Sequence, residues 1–499
     1  MAMALEYDGS PLMSFPKHPS QASRRKKLIL RRYVFLFLLL IVSSLTFFAR
    51  IFSIEKDMQA LYFNQVDYIL LSEPVYELEQ LKKQRLSHGT FFFGRHSQEI
   101  EIDSSYKPQW NSMQKQMLDD DYENDTIDVE KEKERCERYN YKLSNETHPK
   151  RRRLFLGSLI ADDSMKVIEA VGTEVYNIFH TVSFIESNTT QNHTPRKWKY
   201  YNSTSEELNE LYQLFGPKTK VSVDYYVSAS KNIDELLMEY FFREGSPYRW
   251  ALNGMRKDDI GIILDADETF SRDYLRAMQI CDVPEFRPDQ NCRKPKRIAS
   301  TMVMESSPNC ITKNRRWYHP DAILGECIEQ VGNSTLHPPT KRQWKDRHGK
   351  RLEGYGRSFN YSMYVKEGLG PKNMYPLWAA VDFRMEQGVD MVEMADGSPT
   401  GYHFHNFFDS AEKIQFKYQT YGHAIKNAKD VPIWELHEDL RLAVECARGT
   451  SNKTLAFNES GSSALPIYFV NEEVRNKRHK LWQNIVKAEE EKWNKKSNQ

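Results

Sequence analysis

Residues 260–264, Ile-Gly-Ile-Ile-Leu, carry no charge, and the next four positions, Asp265-Ala-Asp-Glu268, carry three carboxylates. A short apolar run bounded this sharply reads as a buried strand. A buried strand that ends in acids delivers them to the carboxyl edge of a sheet. On an extended backbone Asp265 and Asp267, two apart, point to the same side. Paired oxygen ligands suit a hard divalent cation, Mg²⁺ or Mn²⁺, that keeps coordination positions open for phosphate. Thr269 or Ser271 then caps a helix whose apolar positions include Tyr274, Leu275 and Met278. A second acidic run, Asp119-Asp-Asp121, has no strand before it and reads as solvated surface.

The same alternation of apolar strand and amphipathic helix recurs upstream. Strands are expected at 154–160, 181–185 and 220–227, with helices at 165–175 and 233–242. That order predicts an α/β fold with a mixed, mostly parallel sheet and ligands at strand carboxyl ends. Residues 50–150 are rich in charge and poor in apolar clusters, so they read as a stem, part of it either a charged helix or disorder. Residues 151–450 are ample for one large core. Residues 451–499 read as a charged peripheral tail holding a helix near 470–496, with Val474, Leu481 and Ile485 as its apolar stripe.

Arg24, Arg25, Lys26, Lys27, Arg31 and Arg32 precede an uncharged apolar span at 33–49. At ~1.5 Å per residue this span reaches roughly 25 Å, close to a thin secretory-pathway bilayer of ~27 Å. Basic residues on its amino side keep 1–32 cytosolic and place the rest in the lumen of the Golgi or ER, the topology of a single-pass type II protein with a signal anchor. No small-x-small cleavage site ends the span, which disfavours a cleaved signal peptide. Nine Asn-x-Ser/Thr sequons agree with a lumenal glycoprotein, and all six cysteines follow the span, enough for three disulfides. Their pairing is not readable from sequence. The net charge of +1 lacks the basic field of a nucleic-acid binder.

Several segments fall in an ordered set: Arg153-Leu-Phe-Leu-Gly-Ser-Leu-Ile160, Phe184-Ile-Glu-Ser-Asn-Thr-Thr190, Arg249-Trp-Ala-Leu252, Asp258-Asp-Ile-Gly-Ile-Ile-Leu-Asp-Ala-Asp-Glu268 and Gly401-Tyr-His-Phe-His-Asn-Phe-Phe408, followed by a segment from Lys413 to His423. In this order the chain resembles glycosyltransferase family 17, the β-1,4-mannosyl-glycoprotein β-1,4-N-acetylglucosaminyltransferase-like enzymes, over ~270 residues. It departs from the family pattern in long insertions between Asp282 and Asp346 and in the residues after Gly401. The resemblance implies a GT-A-like nucleotide-sugar domain, a divalent metal, UDP-GlcNAc as donor, a glycan or glycoprotein acceptor such as an N-glycan mannose, and inversion at the anomeric carbon.

Chemistry then suggests roles. Asp267 is the expected direct metal ligand, with Asp265 on the metal or the ribose and Glu268 orienting the loop. His403 or His405, two apart on one strand face, would complete the metal shell. Arg249, Lys413 and Lys417 are candidate diphosphate partners, and Glu186, at a strand end, a nucleotide contact. Inversion needs a base for the acceptor hydroxyl, and a carboxylate is the expected one. Asp382 and Glu386, which flank Arg384, lead, with Glu326 behind them. Trp317, Tyr318, Tyr375 and Trp378 are candidates for stacking on sugar faces. Two alternatives remain open: the same fold with another donor or acceptor, and an inactive lumenal glycan-binding protein.

Overall fold

A computed structural model describes residues 81–86, 89–99, 108–118, 126–145, 147–201, 206–228, 235–287, 296–317, 319–332, 344–345, 351–352, 391–392, 400–422, 424–436, 451–453 and 465–499. The span at 33–49 lies outside them. Among the described residues no helix is long and apolar enough to cross a membrane.

The strands are β1 (Lys82–Leu86), β2 (Gly89–Phe93), β3 (Leu154–Leu159), β4 (Thr181–Ser187), β5 (Lys220–Ser228), β6 (Ile260–Asp265), β7 (Glu268–Phe270), β8 (Lys296–Ala299), β9 (Thr301–Glu305), β10 (Cys310–Trp317), β11 (Asp321–Leu324), β12 (Trp344–Lys345), β13 (Arg351–Leu352), β14 (Met391–Val392), β15 (Gly401–His405) and β16 (Ser451–Lys453). Nine of them form one mixed sheet in the order β1-β2-β5-β4-β3-β6-β11-β8-β14. Its centre, β5-β4-β3-β6, is parallel, and antiparallel strands flank it on both sides. The central strands are buried almost throughout, as expected of parallel strands covered on both faces. A five-stranded sheet, β16-β10-β9-β15-β7, stands beside it.

Helices cover the central sheet. Met165–Glu174 links β3 to β4, and Glu235–Arg243 with Gly245–Leu252 precedes β6. Trp250 of the last of these is fully buried. A Cβ at Gly261 would lie 2.4 Å from its ring, and one at Gly157 would meet Ser246, so these two strand glycines let the helix lie close to the sheet. Ser271 caps the helix Arg272–Ile280 as expected, its hydroxyl accepting the Tyr274 N–H at 3.4 Å. Thr269 falls instead in β7.

Two expected boundaries move. Leu78–Gln499 is one compact unit, and every described residue belongs to it. The supposed stem supplies the hairpin β1-β2, which pairs onto β5. It also supplies the helix Val129–Arg138, joined to the end of Arg272–Ile280 by the Cys136–Cys281 disulfide. Cys327 is disulfide-bonded as well. The charge of that helix hid its burial. Arg135 is buried against Glu132 and Asp273, so its charges are paired rather than solvated. The supposed tail also packs inward. In the helix Glu472–Ser497, Val474 and Ile485 pack partly buried against the core as expected, whereas Leu481 is exposed and Arg478, Trp482, Val486 and Glu489 are the buried positions. Arg478 bonds Asp409 and the Phe408 carbonyl, each at 2.7 Å.

Candidate functional site

From β3 the chain steps outward to β4 and β5, then returns to lay β6 on the other side of β3. The reversal opens a crevice at the carboxyl ends of β3 and β6, where ligands bind in open α/β sheets. A cavity of about 600 Å³ occupies this position. Its walls come from the turn after β3 (Ala161, Asp162, Asp163), the end of β4 and its following loop (Ser187, Thr189, Arg196), and the end of β6 (Asp265, Ala266, Asp267). His403 and His405 of β15 and Lys413 and Lys417 of the helix Ala411–Thr420 complete it.

Asp265 and Asp267 do not act as a same-side pair. The strand ends at Asp265, and 266–267 form a turn before β7 starts at Glu268. The turn sends the two carboxylates to different partners. Asp265 meets the Arg243 guanidinium at 2.5 Å, and Arg243 also binds Glu239 at 2.7 Å. Asp267 faces His403 Nε2 at 3.7 Å and Lys417 Nζ at 3.9 Å. Glu268 orients the loop: it is fully buried and accepts the Asp265 N–H at 3.0 Å.

Electrostatics separates the acids. Burial pushes the Asp267 carboxyl up, but His403 and Lys417 outweigh it and hold the group below the usual carboxylate range. Burial lowers the His403 imidazole, and the Asp267 carboxylate more than reverses this, so it stays above its ordinary value. Asp163 has the opposite fate. Burial and the Asp267 charge raise it to about 6, against the Ala161 N–H it accepts at 3.0 Å. His405 bonds Glu305 at 2.8 Å, yet burial lowers it to about 4.

Asp267 and His403 suit a divalent metal in kind, a hard oxygen and an imidazole nitrogen approaching one point, with the Asp163 carboxyl near enough to feel the charge. Among the described residues no group of three or more His, Cys, Asp or Glu is arranged to hold an ion by itself. A metal carried by a nucleotide needs only one or two protein ligands, the rest being phosphate oxygens and water. The donor set therefore fits a nucleotide-borne metal rather than an all-protein cage.

The remaining expected residues divide. Lys413 and Lys417 line the cavity. Arg249 does not: it is buried, with Nε bonded to both Asp224 oxygens at 3.1 and 2.9 Å and Nη2 to the Gly94 carbonyl at 2.6 Å, a structural pair. Glu186 is also structural. It is fully buried beneath the cavity-lining Ile185 and Ser187 and accepts the Lys199 and Tyr200 N–H groups at 2.6 and 3.1 Å. Glu326 lies outside the cavity lining. Asp382, Glu386, Arg384, Tyr318, Tyr375 and Trp378 fall outside the described residues, as does the Trp317 side chain. Sequence reading missed Asp163, Arg196, Arg243 and His319, all cavity residues. The first had a signal: Asp162-Asp163 follows β3 as Asp265-Ala-Asp267 follows β6.

Fold and site together define an α/β protein with a mixed-charge cavity at the switch point of a parallel sheet centre. No family model, no curated protein and no solved structure matches the chain.

Proposed function

We propose that this chain is a metal-assisted, inverting glycosyltransferase of GT-A-like, family-17-like type that moves GlcNAc from UDP-GlcNAc to a glycan, with an N-glycan mannose as acceptor. The observation that carries the reading is Asp267, in the turn just past a central parallel strand, facing His403 and Lys417 in the wall of a cavity of about 600 Å³. Its size suits a nucleotide sugar. Asp267 and His403 would hold the divalent metal, which when bound neutralises charge developing on the departing diphosphate. Lys413 and Lys417 would meet the diphosphate from the facing helix. Arg243 neutralises Asp265 and leaves Asp267 as the available carboxylate of the pair. The basic cluster and apolar span at 24–49, the sequons and the disulfides support a type II protein of the Golgi or ER lumen.

The test is UDP release by the full chain in detergent, over a panel of nucleotide sugars, with and without Mn²⁺. Mn²⁺-dependent release from UDP-GlcNAc is the expected result. Release from a different sugar would retain the fold reading and discard the donor. Neither release nor Mn²⁺-dependent UDP binding would sink the enzyme reading.

A further inference from the structure

We infer that His319 is the base that removes the acceptor proton, held for that task by Asp321 and Lys296; the assignment rests on the transferase reading above. Because β11 runs antiparallel to β6, with Asp321 opposite Ile263, its first residues lie at the carboxyl edge where the cavity opens. His319, two residues before, lines that cavity.

The imidazole is built in from behind. Its Nδ1 bonds Asp321 Oδ2. The other carboxylate oxygen lies 2.8 Å from Lys296 Nζ, and both members of this ion pair are only 1% exposed. A buried ammonium keeps the carboxylate ionised, since neither charge is tolerated alone in the core. An ionised carboxylate accepts, so Nδ1 carries the hydrogen and Nε2 becomes the basic nitrogen of the ring. The backbone is fixed on the same footing. The Thr301 hydroxyl donates to the His319 carbonyl, and the Ala299 N–H donates to the Pro320 carbonyl at 3.1 Å.

Three histidines line the cavity among the described residues, and their partners distinguish them. His403 faces Asp267 in the expected metal set. His405 is bonded to Glu305, whose other oxygen accepts from Asn406 at 2.8 Å, and burial disfavours its charged form. His319 alone of the three is backed by a carboxylate that a buried lysine neutralises. In the transfer step Nε2 takes the acceptor hydroxyl proton as that oxygen bonds the anomeric carbon. The anomeric carbon–oxygen bond to the diphosphate breaks, its electron pair leaves with UDP, and the imidazolium later releases the proton to solvent.

The experiment compares full-length wild type, His319→Ala and His319→Gln in detergent, with UDP-GlcNAc, Mn²⁺ and released N-glycans. Transfer should fall about 100-fold or more in both variants, with Mn²⁺-dependent UDP affinity kept within about threefold and added imidazole restoring roughly tenfold to His319→Ala. The alanine variant with imidazole separates a base from a merely structural histidine, and the glutamine variant guards against a packing defect. Transfer within about threefold of wild type in either variant would overturn the base assignment and leave the transferase reading standing. Loss of transfer together with UDP binding, without imidazole rescue, would also overturn it. Wild type that neither binds UDP nor releases it would overturn both readings.

Discussion

The two edges of the central sheet are built from the same strands and the same kinds of side chain, yet they differ in how completely their charges are closed. At the amino edge, Arg153 and Asp259 precede β3 and β6, whose first residues, Leu154 and Ile260, pair directly. Arg153 Nε bonds Asp259 at 3.1 Å and its Nη2 bonds the Gly254 carbonyl at 2.7 Å; the second Asp259 oxygen takes the Arg256 N–H at 2.5 Å. At the carboxyl edge, Asp163 and Asp267 share one cavity. One carboxyl is driven up to about 6 and the other held low. Charges that saturate one another make structure. Charges left facing a cavity, with their proton affinities split, mark a candidate site.

Three substitutions would break or sharpen that contrast. On the proposed transferase reading, Asp267→Asn should lower Mn²⁺-dependent UDP release about 100-fold or more, because it would remove the carboxylate proposed to hold the metal. Its melting temperature should barely change, because the lost charge also repels Asp163. Near-normal turnover would erase the functional edge. Arg153→Ala should do the reverse. It strands a buried Asp259 carboxylate and should cost about 2–4 kcal/mol in denaturant unfolding, with turnover per folded molecule unchanged. A cost below about 0.5 kcal/mol would mean that the amino edge behaves as ordinary surface.

Glu186 gives a finer test, since it sits near the site yet is closed like the amino edge. Burial raises it to about 7, above its ordinary 4.5, despite the two backbone N–H groups it accepts. The folded chain therefore binds a proton that the unfolded chain has lost. Its stabilising contribution is present below pH 4.5 and disappears as pH rises through about 7. Relative to wild type, Glu186→Gln should gain stability between pH 5 and pH 8, by up to about 3 kcal/mol. A difference that stays constant across urea titrations at the two pH values would contradict the buried-carboxyl account.

Local signals were strong where burial is continuous. The strands at 154, 181, 220 and 260 and the cap at Ser271 begin where periodicity puts them. The signal failed where charge is buried in pairs. Glu132 and Arg135 made a packed helix look like a solvated stem, and the buried Arg478, paired with an exposed Asp409, disguised the packed helix at the other end of the chain. Arg249 failed in the opposite direction. Its charge and its place in a motif-like segment suggested a diphosphate contact, whereas its partner, Asp224, lies 25 residues away on β5.

The sequence by itself determined the α/β alternation, the acids at the end of β6 and the histidines two apart on one strand, because each depends only on neighbours along the backbone. Tertiary structure alone decided that Asp267 meets His403 and Lys417, that Asp265 is claimed by Arg243, and that Asp163 and His319 join the same cavity. Those partners come from strands and helices more than a hundred residues apart in places, and only the crossing of β6 to the far side of β3 gathers them. A two-residue turn at 266–267 then aims the acids apart, since side-chain direction follows the extended-strand rule only while the strand continues.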